Sequence, residues 1–470
     1  MKNRDYIFSV DLGSSDIVVA AGREGASGGL SVDAVSIQPS AGVAQGEVKN
    51  IAEVATSVKR AVEEVERQLG VSVRDATIGI SGDHVRCVQH PYYVYVSGSD
   101  GEIVPQDVAS LNESMRHVQV SDGYVLMHTV PQHYLIDDMD EAVNPVGMFG
   151  RTLGSVFNLV VGNSVTTSRT AKTMERVGVR PAHIFVNPLA AADAVTTPDE
   201  REIGVAVVDM GAGTTDVCIY QRGVIRYVGV IPLGTDSINK DIRSYGIMER
   251  YVEELKVKWG CASPESIEDN KLVWTPGRVP GETRDISLEN LAAIIQARLL
   301  DILDYVSDEI EASGYKDKVD AGIVLTGGGA MIREIVPLAA RRTGMDVRIG
   351  LPDSMVDADS MGRVSDPRVA AAVGLLLMTL RSEGVTLDAP APGQKTRPEE
   401  PEEEERAKFP PEEEWDEEDE LPEDKPVTEK PPRKGNGLKG IFGRINRTVE
   451  KVLRTELIDE EEEEEEDELQ

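Results

Sequence analysis

"IFSVDLGSSDIVVA", residues 7–20, and "VAVVDMGAGTTDVCIY", residues 205–220, follow one plan. Each runs from an apolar segment into Asp, one residue, Gly and a small hydroxyl-rich turn, then into a second apolar segment. The apolar flanks make each unit a β-hairpin, and an Asp-x-Gly connection taken alone is ordinary hairpin chemistry. Two matching turns in two halves of one chain point instead to a shared ligand. In the first turn, Gly13 allows close backbone approach. Exposed N–H groups there, with the Ser14 and Ser15 hydroxyls, make an anion cradle. Asp11 cannot favour a bare phosphate, but it can hold a hydrated divalent cation that bridges phosphates. The second turn repeats these parts with Asp209, Gly211, Gly213, Thr214 and Thr215.

A third element, "AGIVLTGGGAMIREI" (321–335), reads as strand, triglycine, helix. Gly327, Gly328 and Gly329 leave no side chain to hold a flat ligand off the backbone. The helix they are expected to open would favour anions at its N-terminus. The loop lacks the Gly-Lys-Ser/Thr ending of a Walker A motif, and Ile332 denies it a GxGxxG fingerprint. A glycine-rich loop of no chemical use is the competing reading.

At 470 residues and 40% apolar content the chain is long enough for more than one packed domain. Strand-like runs alternate with helical patterns over residues 50–69, 169–177, 250–259, 288–312 and 332–343, which predicts α/β layers. The net charge of −34 is shared between the first 384 residues and the last 86, where 30 acids face 13 bases. An acidic body argues against nucleic acid as a partner. Cys87, Cys218 and Cys261 form no CxxC pair, as expected for a reduced compartment without a disulfide framework or structural zinc. No secretory signal is expected from the charged start. The apolar run 369–378 is too short to span a bilayer and reads as a buried helix.

Two hairpins followed by strand, triglycine and helix resemble the superfamily of actin, sugar kinases and heat-shock chaperone ATPases. "FVNPLAAADAV" (185–195) and "SDPRVAAAVGLLL" (365–377) are similar to its two connecting helices, whose small residues permit a close crossing. The resemblance implies two ribonuclease-H-like lobes around a nucleotide cleft. ATP phosphates and Mg²⁺ would lie between the hairpins, with the triglycine backing the adenosine. Asp11 and Asp209 would hold the metal through water.

Within the superfamily, "GVIPLGTDSINKDIRSYGIMERYVEELKVKWGCA" (229–262) resembles the FtsA family of cell-division proteins. The matches include Gly234, Asp236, Ile238, Asp241, Glu253 and Lys256. The family pattern would put Glu253 and Lys256 near ribose and adenine; a surface charge pair one helical turn apart is the alternative. "NPVGMFGRTLGSVFNLVVG" (144–162) matches a further family pattern, with Asn158 where His is usual. The implied organisation is a first-lobe subdomain at 1–84, continued by 165–194 and 360–384, with an inserted α/β subdomain at 85–164 for polymer or partner contacts. A second-lobe subdomain at 195–240, continued by 320–359, carries an outer subdomain at 241–319 that would grip the C-terminal peptide of FtsZ. Asn187 stands where the superfamily often places Glu or Gln to orient the attacking water. Asn reaches less far and is no carboxylate base, so at most slow ATP hydrolysis is expected.

From residue 385 the composition turns to Pro, Glu and Asp, which predicts a disordered linker to 436. As a neutral flexible chain its fifty-odd residues would span roughly 40 Å. Beyond it, "GLKGIFGRINRTVEKVLRTELI" (437–458) places Leu438, Ile441, Phe442, Ile445, Val449, Val452 and Leu453 on one stripe if helical. Lys439, Arg444, Arg447, Lys451 and Arg454 lie on or beside the other faces. Such a basic amphipathic helix can lie on an anionic membrane, or dock on the protein's own body or a partner. The resemblance favours the membrane, and many copies held in a polymer would bind far more tightly than one. The acidic end, 459–470, departs from the family and should be repelled by an anionic surface. The function so implied is an ATP-binding, filament-forming protein at the cytoplasmic face of the cell membrane that tethers the FtsZ ring at the division site and meets other divisome proteins. A phosphotransferase or a pilus-assembly adaptor on the same fold is the alternative.

Overall fold

The protein is described here by a computed structural model covering residues 6–381, except 26, 27, 99 and 280. Both Asp-x-Gly turns join antiparallel strands. Ile7–Leu12 pairs with Asp16–Glu24, and Val205–Met210 with Thr215–Gln221.

Each hairpin is the centre of a five-stranded sheet, and the two sheets share one topology. In the first, the strands lie in the order Leu30–Pro39, Asp16–Glu24, Ile7–Leu12, Asp75–Ile80, Arg180–Val186. In the second, the order is Val224–Ile231, Thr215–Gln221, Val205–Met210, Ile323–Thr326, Val347–Ile349. In both, an antiparallel meander comes first and two parallel strands are then added beside its opening strand. Strands such as "VAVVDM" are apolar on both faces because helices cover both sides of the sheet. The repeated turn is therefore the visible part of a repeated lobe.

Helix Ile51–Leu69 shows how local sequence sets these elements. The Asn50 side chain accepts from the Ala52 and Glu53 N–H groups, and Gly70 ends the helix at φ 69°. Val54, Val58, Ala61, Val62 and Val65 are buried, the spacing of one helical face. The other expected helices are found at Ser164–Val177, Glu249–Trp259, Leu288–Ala312 and Ile335–Thr343.

The triglycine does not open a helix. Gly328–Met331 forms one short 3₁₀ turn, Glu334 is left-handed at φ 63°, and the helix begins only at Ile335. The intervening chain is held aside because the Arg333 carbonyl accepts from Ala262 N–H at 2.8 Å. The helix N-terminus thus stands away from the glycines.

Helices Asn187–Val195 and Ala370–Arg381 cross between the lobes. Every residue of the first is buried, as is the second from Ala370 to Leu377. Gly374 permits the crossing, since a Cβ there would overlap the Ala190 carbonyl and stand 2.9 Å from Ala190 Cα. Asp193, buried on the first helix, pairs with Arg381 on the second (2.7 Å) and with Arg201 (2.8 Å).

Between Asp75–Ile80 and Ser164–Val177 lies a small α/β unit. Strands Arg86–Tyr95, Thr152–Asn163 and Tyr124–Ile136 are antiparallel in that order, and helix Pro105–Arg116 covers them. Asn158 is buried there and donates to the Arg226 carbonyl (2.8 Å); Gln132 donates to the Ile225 carbonyl (2.9 Å). A side-chain donor at 158 thus ties this unit to the second lobe. Between Val224–Ile231 and Ile323–Thr326 the second lobe carries three helices, Asp236–Ser244, Glu249–Trp259 and Leu288–Ala312, with the hairpin Leu272–Pro276/Thr283–Ser287. The segments 385–436, 437–458 and 459–470, with the membrane-facing residues named above, lie outside the described residues. No described helix is long and apolar enough to cross a membrane.

Candidate functional site

The tips of both hairpins open on one cavity of about 380 Å³. Asp11, Gly13, Ser14 and Ser15 line it from the first lobe, and Asp209, Gly211, Gly213 and Thr214 from the second. Gly327, Gly328 and Gly329, Glu253, Lys256 and Asn187 are also in its wall, as are Ser81, Asp216 and Arg368. The hairpin tips nearly touch: a Cβ on Gly213 would overlap Ser14 Oγ and stand 2.8 Å from Gln45 N. Gln45 in turn donates from Nε2 to the Pro232 carbonyl of the other lobe at 3.0 Å. Glycine at 213 is what lets the tips come this close. Gly327, at φ 79°, lies so near the Asp209 carboxylate that a Cβ would overlap Oδ1. Gly328 meets only the Arg368 stem, at 3.7 Å, so its open face is free for a flat group.

Three carboxylates meet at the base of the cavity. Asp11 is 9% exposed and accepts from Asn187 Nδ2 at 2.7 Å. Burial pushes its carboxyl up to about 6, against the pull of the Asn187 hydrogen bond. Asp209 is held well above the usual carboxylate range by enclosure, then by the nearby charges of Asp216 and Asp11. Asp216 faces Asp209 across the antiparallel pair. Ser81 Oγ lies 2.7 and 2.9 Å from its two oxygens. Burial raises Asp216 to about 7, while the Ser81 and Thr214 hydrogen bonds act against it. Each of the three resists ionisation because burial strips it of water and no cation among the described residues offsets that loss. Asn187 Oδ1 is also buried, with no hydrogen-bond partner among the described residues. This donor set fits a hydrated divalent cation with a polyphosphate: carboxylates for the cation shell, backbone N–H groups and hydroxyls for phosphate oxygens.

Two expected site residues do not line the cavity. Thr215 is fully buried and donates its hydroxyl to the Leu233 carbonyl (2.8 Å), because strand alternation turns it away from Thr214. Gly234 instead packs beneath the second turn, where a Cβ would overlap the Ala212 carbonyl. Its neighbours brace that turn, with Thr235 N–H donating to the Gly211 carbonyl (3.0 Å) and Asp236 N–H to the Ala212 carbonyl (2.9 Å). Glu253 and Lys256 are ion-paired at 2.8 Å, and both line the cavity.

Sequence reasoning missed Ser81, Asp216 and Arg368. The Asp216 signal was present, since a six-residue ladder that pairs Met210 with Thr215 pairs Asp209 with Asp216. Ser81 follows a parallel strand, and the C-terminal ends of such strands gather at one edge. Arg368, paired with Asp366 at 2.7 Å, arrives only through the packing of the second crossing helix.

Twin lobes on a common topology, joined by crossing helices around this cleft, with a small α/β unit inserted in the first, define an actin-like protein. The nearest features of the sequence agree. The family profile of the SHS2 domain inserted in FTSA matches residues 82–161, and that of cell division protein FtsA matches residues 206–374. Cell division protein FtsA of Pseudomonas aeruginosa is 32% identical over 384 residues, covering 81% of this chain and 91% of the relative. That of Neisseria meningitidis serogroup B is 32% identical over 381 residues, with the same coverage. That of Escherichia coli K12 is 30% identical over 385 residues, covering 80% and 90%. Among solved structures, the PilM–PilN type IV pilus biogenesis complex matches in fold, with a TM-score of 0.57 at 16% identity, over 80% of this chain and 98% of the other. The chain belongs to the FtsA family of cell-division proteins.

Proposed function

We propose that the chain binds ATP with Mg²⁺ in its cleft, polymerises, and tethers the FtsZ ring to the inner face of the cytoplasmic membrane at the division site. The observation that carries the reading is the convergence of Asp11, Asp209 and Asp216 with both hairpin tips and the triglycine on one cavity. Asp11 and Asp209 would hold the hydrated metal. Bound Mg²⁺ would supply the charge that lets a triphosphate sit beside these carboxylates. Ser14, Ser15, Thr214 and the N–H groups of both turns would hold phosphate oxygens. Gly327–Gly329 and the Arg368 stem would face the adenosine, and Lys256 would stand near its ribose or base. Asn187 would position Asp11 through its Nδ2, and without a carboxylate base at this place turnover would be slow. Filling the cleft would fix the lobes in one relation, the condition for regular contacts with further copies.

The segment 437–458 would carry membrane attachment, the outer second-lobe subdomain the FtsZ C-terminal peptide, and other divisome proteins would join the assembly. Co-sedimentation with anionic vesicles tests this directly. The full chain with Mg²⁺–ATP is expected to pellet with the vesicles, and a chain ending at residue 436 to stay in the supernatant. Equal pelleting of both would rule out tethering through this segment.

A further inference from the structure

We infer that Glu47, Asp83 and His84 form a binding site for one divalent ion of the zinc class, beside the nucleotide cleft and separate from it. Glu47 lies in the short hairpin Val43–Ala44/Glu47–Val48, while Asp83 and His84 follow the strand Asp75–Ile80. One ligand atom from each residue lies within 4.8 Å of the other two, the only such group among the described residues.

Three acid-or-imidazole groups on a surface would not by themselves make a site. The imidazole is what points to a ligand. His84 is 8% exposed, and neither ring nitrogen has a hydrogen-bond partner among the described residues. An imidazole N–H and lone pair both out of water and unpaired cost free energy, so native structures supply a partner. Nδ1 stands 3.6 Å from Glu47 Oε1, too far for a hydrogen bond. Two donors on a tetrahedral ion with bonds of about 2.0–2.1 Å lie about 3.3 Å apart, close to this spacing.

The surroundings hold that arrangement in place. Lys49 Nζ binds Glu47 Oε2 at 2.6 Å, which orients the carboxylate and leaves Oε1 turned to the imidazole. Gly82, at φ 133°, makes room for the ring, since a Cβ there would stand 2.6 Å from Nδ1. Gly46 lets the two turns meet, because its Cβ would lie 2.7 Å from the Ser81 carbonyl. One nitrogen and two carboxylate oxygens suit zinc, cobalt or nickel, whereas Mg²⁺ takes an all-oxygen octahedron. Asp83 is exposed, so a water can take the remaining position. An ion here would fasten the turn whose Gln45 reaches across the cleft to Pro232.

The test is titration of the full chain with Zn²⁺, and with Co²⁺ as an optical probe, in excess Mg²⁺ to occupy oxygen-only sites such as the acidic terminus. The wild-type chain is expected to bind one equivalent of Zn²⁺ and to show the visible absorption of nitrogen-ligated Co²⁺. Glu47→Gln, at a partly exposed position, and Asp83→Asn are each expected to weaken that equivalent at least tenfold while leaving the thermal transition in EDTA unchanged. If the variants retain the same stoichiometry and spectrum, or the wild type binds no Zn²⁺ beyond the Mg²⁺-competed background, the assignment is overturned. The readout does not depend on nucleotide, so its failure would leave the cleft reading untouched.

Discussion

Asp11→Asn is expected to make the nucleotide-free protein more stable while weakening its hold on Mg²⁺–ATP. Asp11 is buried, and its carboxyl is pushed from 3.8 up to about 6. A raised folded-state value means that its contribution to stability is complete below pH about 4 and lost as the pH rises through about 6. Asp216, at about 7, extends the same loss toward neutrality. At pH 8 the rise of the Asp11 carboxyl from 3.8 to about 6 amounts to about 3 kcal/mol of destabilisation. Asn at this position keeps an amide oxygen for Asn187 Nδ2 but carries no charge to desolvate. Its melting temperature without nucleotide should therefore exceed that of the wild type by several degrees at pH 8, and the difference should vanish near pH 4. Addition of Mg²⁺–ATP should stabilise the wild type far more than the variant, with at least a tenfold loss of affinity, about 1.4 kcal/mol. Thermal denaturation across pH, with and without Mg²⁺–ATP, reads both effects. A variant that is less stable than wild type at pH 8 without nucleotide, and equally stabilised by it, would contradict the assignment of Asp11.

Gly374→Val should abolish the folded state or cost more than about 3 kcal/mol. The side chain would be driven into the Ala190 carbonyl and Cα, backbone atoms of a helix buried on every side. Neither helix can retreat, since Asp193–Arg381 and the Ser9 hydroxyl on the Ala372 carbonyl (2.7 Å) tie this layer to both neighbours. Near-UV circular dichroism and thermal melting measure the loss. Gly362→Ala is the control, because nothing lies within 4 Å of a Cβ there, and it should leave the transition in place. Equal melting temperatures for the two variants would show that the crossing is looser than these distances require.

The hairpins were legible because their apolar flanks and Asp-x-Gly turns are local, and the helix at 50–69 because its apolar residues recur at helical spacing. The crossing helices were legible through their small residues. The end of the triglycine loop was not: a Gly-rich strand exit commonly leads into a helix, and only the tie between Arg333 and Ala262 delays it here. Thr214 and Thr215 looked equivalent as neighbours in one turn, yet strand alternation sends the second hydroxyl to Leu233.

From its sequence alone this protein can be read as two lobes with paired Asp-x-Gly turns, since those turns are short-range patterns of residue type and spacing. What only the tertiary structure decided is which atoms meet: three carboxylates in one enclosure, Ser81 beneath Asp216, and an imidazole held against Glu47 from 37 positions away. These depend on strand register and on the close packing that Gly213 and Gly374 permit. Burial and charge proximity are properties of that packing, and no local pattern encodes them.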